Sequence, residues 1–272
     1  EVEPNDDTAA ADARALAPQP VKLSGSGFVS GAITPVGDVD LYRVELAAAA
    51  TLRLETFDQS ATGCTIATTL RLRDAGGAEL YSDDNSGIST CSSLVLHLAA
   101  GVYYASVEER GSDALISNYR LSVQVAGDGG SEIEPNEGAA SATAIAGSEV
   151  AVQGEHLLGD DTDFYALTLP AGASLRAEII EGGEGGAEAC EGYDLDSYLT
   201  LYDAEGVTLG SDDDGGRGYC SSFDGVGAIP ASPFAHLLPG GLYFLAVEAS
   251  PSAQAPGDGA GQFVYRLVLS TR

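Results

Sequence analysis

Two short acidic stretches hold the residues best suited to chemistry. The first reads Glu1-Val2-Glu3-Pro4-Asn5-Asp6-Asp7 and the second Glu132-Ile133-Glu134-Pro135-Asn136-Glu137. Each gathers several oxygen donors into a few residues, and Ca²⁺ takes about six to eight such oxygens. Side chains alternate along an extended segment, so Glu1, Glu3 and Asn5 share one face while Val2 and Pro4 take the other. Bunched carboxylates repel unless a cation sits among them. Pro4 restricts the free chain and lowers the entropy lost on binding. The plainer reading is that Asp and Asn cap the Ala-rich turn that follows, with both glutamates in water.

A second acidic feature is Asp83-Asp84-Asn85, matched by Asp212-Asp213-Asp214. Both precede glycine and read as polar hairpin turns whose side chains bond their own backbone, with a second metal site as the alternative. Catalysis finds no support. His97 and His236 fall where solvated strand histidines are expected, and His156 has no partner motif. There is no His-Glu-x-x-His, and Ser24-Gly25-Ser26-Gly27 is a turn between strands and not a nucleophile elbow. The glycine-rich loop Glu181–Gly186 is acidic and would repel phosphate. The expectation is a protein with no catalytic residues.

Lys and Arg number 12 against 41 Asp and Glu, a net charge of −29. Nucleic acid and anionic membrane are poor partners for such a surface. No apolar run reaches the length of about 18 residues that spans a bilayer, so no membrane insertion is expected. No basic, apolar leader precedes Glu1, so the signal peptide of an exported chain has been removed or left out. The four cysteines fall two per half, and none forms a Cys-x-x-Cys pair. The even count suggests one disulfide in each half, Cys64 with Cys91 and Cys190 with Cys220, and hence a secreted, cell-surface or periplasmic setting. Four reduced thiols in a cytosolic protein is the alternative.

These residues must be positioned by strands. Period-two alternation recurs at 28–34, 41–46, 52–55, 70–73, 94–98, 103–107 and 119–123, separated by turns such as Asp74-Ala75-Gly76-Gly77. Residues 8–17 are Ala-rich enough for a turn or two of helix. Residues 126–131 read as a Gly-rich linker. Beyond it the pattern repeats in order. Glu132 to Asn136 matches Glu1 to Asn5, Asp163-Phe164-Tyr165 matches Asp40-Leu41-Tyr42, Leu199 to Asp203 matches Leu70 to Asp74, and Tyr265-Arg266-Leu267 matches Tyr119-Arg120-Leu121. The fold class is therefore all-β: two tandem antiparallel β-sandwich, jelly-roll-like domains, 1–127 and 132–272.

The ordered set of Glu-Pro-Asn, Asp-x-Tyr, Leu-x-Leu-x-Asp, Asp-Asp turn, Gly-x-Tyr and Tyr-x-Leu motifs resembles the bacterial pre-peptidase C-terminal family, over nearly the whole chain and twice. That resemblance implies compact, non-catalytic β-sandwiches appended to secreted proteases and other exported proteins. The related collagen-binding modules of collagenases hold Ca²⁺ between an acidic N-terminal segment and a nearby Asp-containing loop. Carried over by position, the resemblance points to Glu1, Glu3, Asn5, Asp6, Asp38 and Asp40 in the first half. In the second it points to Glu132, Glu134, Asn136, Glu137, Asp163, and Asp160 or Asp161. The family's strand aspartate is Asp196 in the second half, where the first has Ala67-Thr68.

The resulting expectation is an exported Ca²⁺-binding accessory or adhesion pair that stabilises, spaces or targets a larger protein. Its partner would be a protein or polysaccharide at the cell surface or matrix. A structural subunit of a self-assembling filament or coat, and a carbohydrate-binding module, are the alternatives.

Overall fold

The computed structural model describes residues 6–7, 9, 28–59, 63–157, 161–183, 190–192, 194–251 and 261–272. Glu1, Glu3 and Asn5 and most of the expected Ala-rich helix lie outside them. Strands form where apolar and polar residues alternate, because that period puts one set of side chains on one sheet face. In the first half they are β1 (Phe28–Ile33), β2 (Val39–Leu46), β3 (Ala50–Phe57), β4 (Thr68–Arg73), β5 (Glu79–Asp83), β6 (Ser93–Leu98), β7 (Gly101–Glu109) and β8 (Ile116–Val125). They build two four-stranded antiparallel sheets, ordered β1-β8-β3-β6 and β2-β7-β4-β5. Tyr42, Val44, Leu52, Leu54, Leu70, Leu72, Leu96 and Leu121 meet between them as the core.

The second half adds β9 (Gly127–Ser131), β10 (Thr143–Ile145), β11 (Glu149–His156), β12 (Asp163–Leu169), β13 (Leu175–Glu181), β14 (Ser197–Asp203), β15 (Thr208–Asp212), β16 (Ser222–Asp224), β17 (Gly241–Ala249) and β18 (Phe263–Thr271). These form two five-stranded sheets, β10-β12-β17-β14-β15 and β16-β13-β18-β11-β9. The core packs Val152, Tyr165, Leu167, Leu175, Ile179, Leu199, Leu201, Leu245 and Leu267. The chain thus forms two compact units, Glu1–Val125 and Ala126–Arg272. Both are β-sandwiches, and the only helical element among the described strands and turns of the second is a single 3-10 turn at Pro233–Ala235. Among the described residues no helix is long and apolar enough to cross a membrane.

The stretch read as a linker is instead the parallel strand β9, which pairs Gly127 with Val150 and Asp128 with Ala151 on β11. Both disulfides form as the cysteine count suggested, Cys64–Cys91 and Cys190–Cys220. His236 caps the 3-10 turn and is half-buried on Gly225 and Ser174, not a solvated strand residue. His97 is also half-buried and bonds Thr51.

Candidate cation sites

The acidic segment of unit 2 enters straight from β9. Glu132 N–H donates to Gln153 O at 2.9 Å, continuing the β9–β11 pairing by one residue. The Glu132 side chain then carries on where the backbone departs, its Oε1 accepting the Glu155 N–H at 2.5 Å. Its Oε2 accepts from Asn136 Nδ2 at 3.1 Å and from the Tyr165 hydroxyl at 2.9 Å. Glu134 Oε2 accepts the Asn136 N–H at 3.0 Å, and Asn136 O accepts the Phe164 N–H at 2.9 Å. The segment is thereby folded back onto the start of β12.

Asp163 opens β12 and is fully buried. Tyr265 donates to its Oδ2 at 2.6 Å, and the Tyr265 and Tyr165 hydroxyls lie 2.7 Å apart. A continuous chain of closely spaced oxygens therefore runs from Asp163 past both tyrosine hydroxyls to Glu132. Carboxylate oxygens of Glu132, Glu134 and Asp163 all lie within 4.8 Å of one another. Asp163 Oδ1 and Asn136 Oδ1 are buried and accept no hydrogen bond among the described residues. Buried acceptors are almost always satisfied, so each such atom calls for a donor or a cation.

The electrostatics agree. Burial, with Glu132, Asp161 and Glu134 close by, pushes the Asp163 carboxyl up to about 8, against the Tyr265 hydrogen bond that favours its charged form. Burial and the neighbouring Glu132, Asp161 and Glu137 also raise Glu134, against the Asn136 N–H. A folded-state value above the ordinary 3.8 means that the folded, ion-free protein holds a proton that the unfolded chain releases. That stability is present at low pH and lost as pH rises towards 8. In chelator, Asp163→Asn should therefore gain on wild type across this window, by up to about 1.4 kcal/mol per pH unit. Urea unfolding from pH 5 to 8.5 measures the difference, and parallel pH profiles would refute the assignment.

The other expected ligands of unit 2 lie further out. Asp161 Oδ2 accepts the Leu157 N–H, while its carbonyl bonds His156 Nε2 at 2.9 Å. Glu137 is exposed and outside the tight group. In unit 1 Asp40 is fully buried and its Oδ2 accepts from Tyr119 at 2.5 Å, with Tyr42 a further 2.5 Å away. This repeats the Asp163–Tyr265–Tyr165 chain. Asp38 bonds Thr34 N–H and Val39 N–H, so it caps the turn before β2. Asp6 is exposed.

The tyrosine pair was not among the expected site residues. Nor was Gly154, which pairs with Tyr265 across β11 and β18 as Gly31 pairs with Tyr119 across β1 and β8. A second group, Asp196, Asp213 and Asp214, also brings three carboxylate oxygens within 4.8 Å. Asp83 and Asp212 serve their turns as expected, accepting backbone N–H groups of Ser86 and Ser93 in one case and Gly215 and Ser222 in the other. The acidic clusters of unit 2 could each hold a metal ion.

Unit 2 is thus a β-sandwich with an acidic pocket at the head of β12. Residues 161–249, which lie within unit 2, match the family model described as the bacterial pre-peptidase C-terminal domain. The match includes Asp163, Asp196 and the 212–214 turn, and begins after Glu132 to Asn136. Among solved structures, the pre-peptidase C-terminal domain of a collagenase from Bacillus anthracis is similar, at 17% identity over 36% of this chain and 87% of that one, with a TM-score of 0.30. The PBSX exported protein XepA covers 90% of this chain and 86% of its own at 10% identity and a TM-score of 0.28. Scores of this size do not establish a shared fold. No curated protein matches the chain.

Proposed function

We propose that the chain is a pair of non-catalytic accessory modules of an exported protein. In unit 2, Ca²⁺ held by Glu132, Glu134, Asn136 and Asp163 fastens the acidic segment to its own sandwich, with Asp161 and Glu137 shaping the field around it. The observation that carries this reading is Asp163 Oδ1: a buried carboxylate oxygen with no donor among the described residues, on a residue within reach of two further carboxylates. All the donors are hard oxygens, which suits Ca²⁺ better than zinc or copper. Asp40 with Tyr119 and Tyr42 supports a counterpart in unit 1, completed by Glu1, Glu3, Asn5 and Asp6 and flanked by Asp38.

The family match of unit 2 supports the accessory role, and the two disulfides favour an oxidising, extracellular or periplasmic compartment. The module's partner would be a surface or matrix protein or polysaccharide. Hydrogen bonds of Glu132 and Glu134 also hold the segment, and the ion would add to them. At about 1 mM Ca²⁺ and a Kd of about 10⁻⁴–10⁻³ M, that addition is about 0.5–1.5 kcal/mol per site. Urea unfolding with Ca²⁺ and with EDTA should differ by this amount, and Glu134→Ala should remove the contribution of the unit 2 site. Identical curves for the wild type would sink the proposal.

A further inference from the structure

The outward face of one unit 2 sheet lacks the charges that its unit 1 counterpart carries. Ladder register equates the sheet β2-β7-β4-β5 with β12-β17-β14-β15. Asp40 pairs with Val107 as Asp163 pairs with Val247, and Leu70 and Leu199 face those valines from the other side. In unit 1 the face turned away from the core is a lattice of ions. Arg43 meets Glu45 at 2.7 Å, Arg71 meets Glu79 at 3.1 Å and Glu108 at 3.2 Å, and Arg73 lies 3.7 Å from Glu79. In unit 2 the counterparts of Arg43, Glu45, Arg71, Arg73 and Glu79 are Ala166, Thr168, Thr200, Tyr202 and Thr208. Of the unit 1 lattice, only Glu108 has an acidic counterpart, Glu248.

Aromatic rings take the place of the ions. Phe164 stands where unit 1 has Leu41, Tyr198 where it has Thr69, and Tyr202 where it has Arg73. All three are half-buried. Phe164 and Tyr202 stack across β17, with centroids 5.8 Å apart and planes at 26°. Ala246, opposite Phe164 on β17, is small enough to leave them room. An uncharged cavity of about 520 Å³ opens beside this face and shares Ala166, Thr168 and Leu242 with it. Thr168 is exposed, Leu242 is 41% exposed, and the other hydroxyls lining the cavity are those of Ser148 and Thr271.

Charge and surface chemistry together select a partner. The chain's net charge of −29 repels a polyanion. A polycation is drawn to the acids elsewhere and finds none in the cavity. An uncharged partner loses nothing on either count. Ring faces can pack on the C–H faces of a sugar, and the hydroxyls of Tyr198, Tyr202, Thr168 and Thr200 can donate to or accept from sugar hydroxyls. The cavity falls within the range of about 300–1,000 Å³ that holds small ligands, enough for a sugar at the end of a chain.

We propose that the outward face of β12, β17 and β14, with the cavity beside it, binds an uncharged polysaccharide. This rests on the accessory-module reading and narrows its partner to one class. The ion lattice of unit 1 takes no part.

Native electrophoresis of the full chain through gels containing arabinoxylan, galactomannan or mixed-linkage β-glucan tests the proposal, with polygalacturonate as the anionic arm and polyproline as the apolar-peptide arm. At least one of the three neutral polymers should slow the chain against a reference protein, and polygalacturonate should not. Tyr202→Ala should raise the polymer concentration for half-retardation about three- to tenfold, the worth of one aromatic contact. Thr168→Glu with Tyr202→Arg installs two of the unit 1 charges and should abolish retardation. Should that variant fail to fold, Thr168→Glu alone changes an exposed residue and should weaken retardation severalfold. The Ca²⁺-dependent difference in urea unfolding should survive in Thr168→Glu, so failure here is distinct from failure of the ion site. Retardation by no neutral polymer, or by polyproline and no polysaccharide, overturns the proposal. So does retardation that Tyr202→Ala and Thr168→Glu leave unchanged.

Discussion

Replacing Gly154 with alanine should destabilise unit 2 by about 3 kcal/mol, near the upper end of what one added methyl group costs in a packed interior. Gly154 lies on β11 opposite Tyr265. A Cβ there would sit 2.3 Å from Tyr265 Cζ, 2.5 Å from its hydroxyl and 2.7 Å from the Tyr165 hydroxyl. Neither ring can swing aside, because both tyrosines are fully buried in the sandwich. The methyl group must therefore break the chain of hydroxyls that joins Asp163 to Glu132. Buried groups left without partners add to the steric cost. The same substitution should abolish the Ca²⁺ response of this site, since two ligands lose their supports. Gly241→Ala is the matched control: nothing lies within 4 Å of its added carbon, and stability should change by less than about 0.5 kcal/mol. Urea unfolding of both variants makes the comparison. A Gly154→Ala protein as stable as the control would show that the tyrosine pair is loosely held.

Replacing Cys190 and Cys220 together with alanine should cost about 3–4 kcal/mol, the loop-closure value for a crosslink spanning this length. The bridged residues are 30 apart in sequence. The native geometry adds a reason for a full effect. Tyr219 N–H donates to Cys190 O at 2.6 Å, and Cys220 N–H to Arg217 O at 3.0 Å. Cys190 N–H also reaches Glu181 Oε1 at 3.4 Å, and Arg217 binds both Glu181 and Glu191. The crosslink thus fastens a turn already shaped to receive it, and both cysteines are fully buried. Reduction of the wild type under partly denaturing conditions should lower the urea midpoint of unit 2 in the same way. A loss below about 1 kcal/mol would mean that the hydrogen bonds around Cys190 hold the turn alone.

Much of the architecture could be read from alternation alone. Leu52 and Leu54, Leu70 and Leu72, and Leu199 and Leu201 announce core-facing strands, and all are buried where period two puts them. The polar phase was less informative. Arg53 and Glu55 read as solvent-facing, yet both are buried, because alternation separates two faces without saying what covers the outer one. The short strands β5 and β15, which lead into the two acidic turns, show no apolar phase, since edge strands with mostly exposed side chains need none. Residues 127–131 read as a linker from their glycines. Gly129 in fact lies so close to β11 that a Cβ would stand 2.6 Å from Val152 Cγ2, so the composition reflects close strand approach and not free chain.

At the candidate site, residues close in sequence were easier to find than residues brought together by the fold. Glu132, Glu134 and Asn136 form a local pattern, and the resemblance to a known family supplied Asp163. The tyrosines that support them lie 100 residues apart, on β12 and β18. Nothing local in either strand marks its Tyr as a partner of Asp163 and not as an ordinary core residue. Asp161 shows the converse. Its position suggested a ligand, and one of its carboxylate oxygens accepts the Leu157 N–H, a contact that spacing alone does not show.

The central claim is that a hard cation occupies the pocket at the head of β12. Crystals of the full chain grown in Ca²⁺ and measured at a long wavelength, where calcium scatters anomalously, test it most directly. An anomalous peak is expected about 2.3–2.6 Å from oxygens of Glu132, Glu134, Asn136 and Asp163. A pocket with no peak, and with Asp163 holding only the Tyr265 hydroxyl, would contradict it.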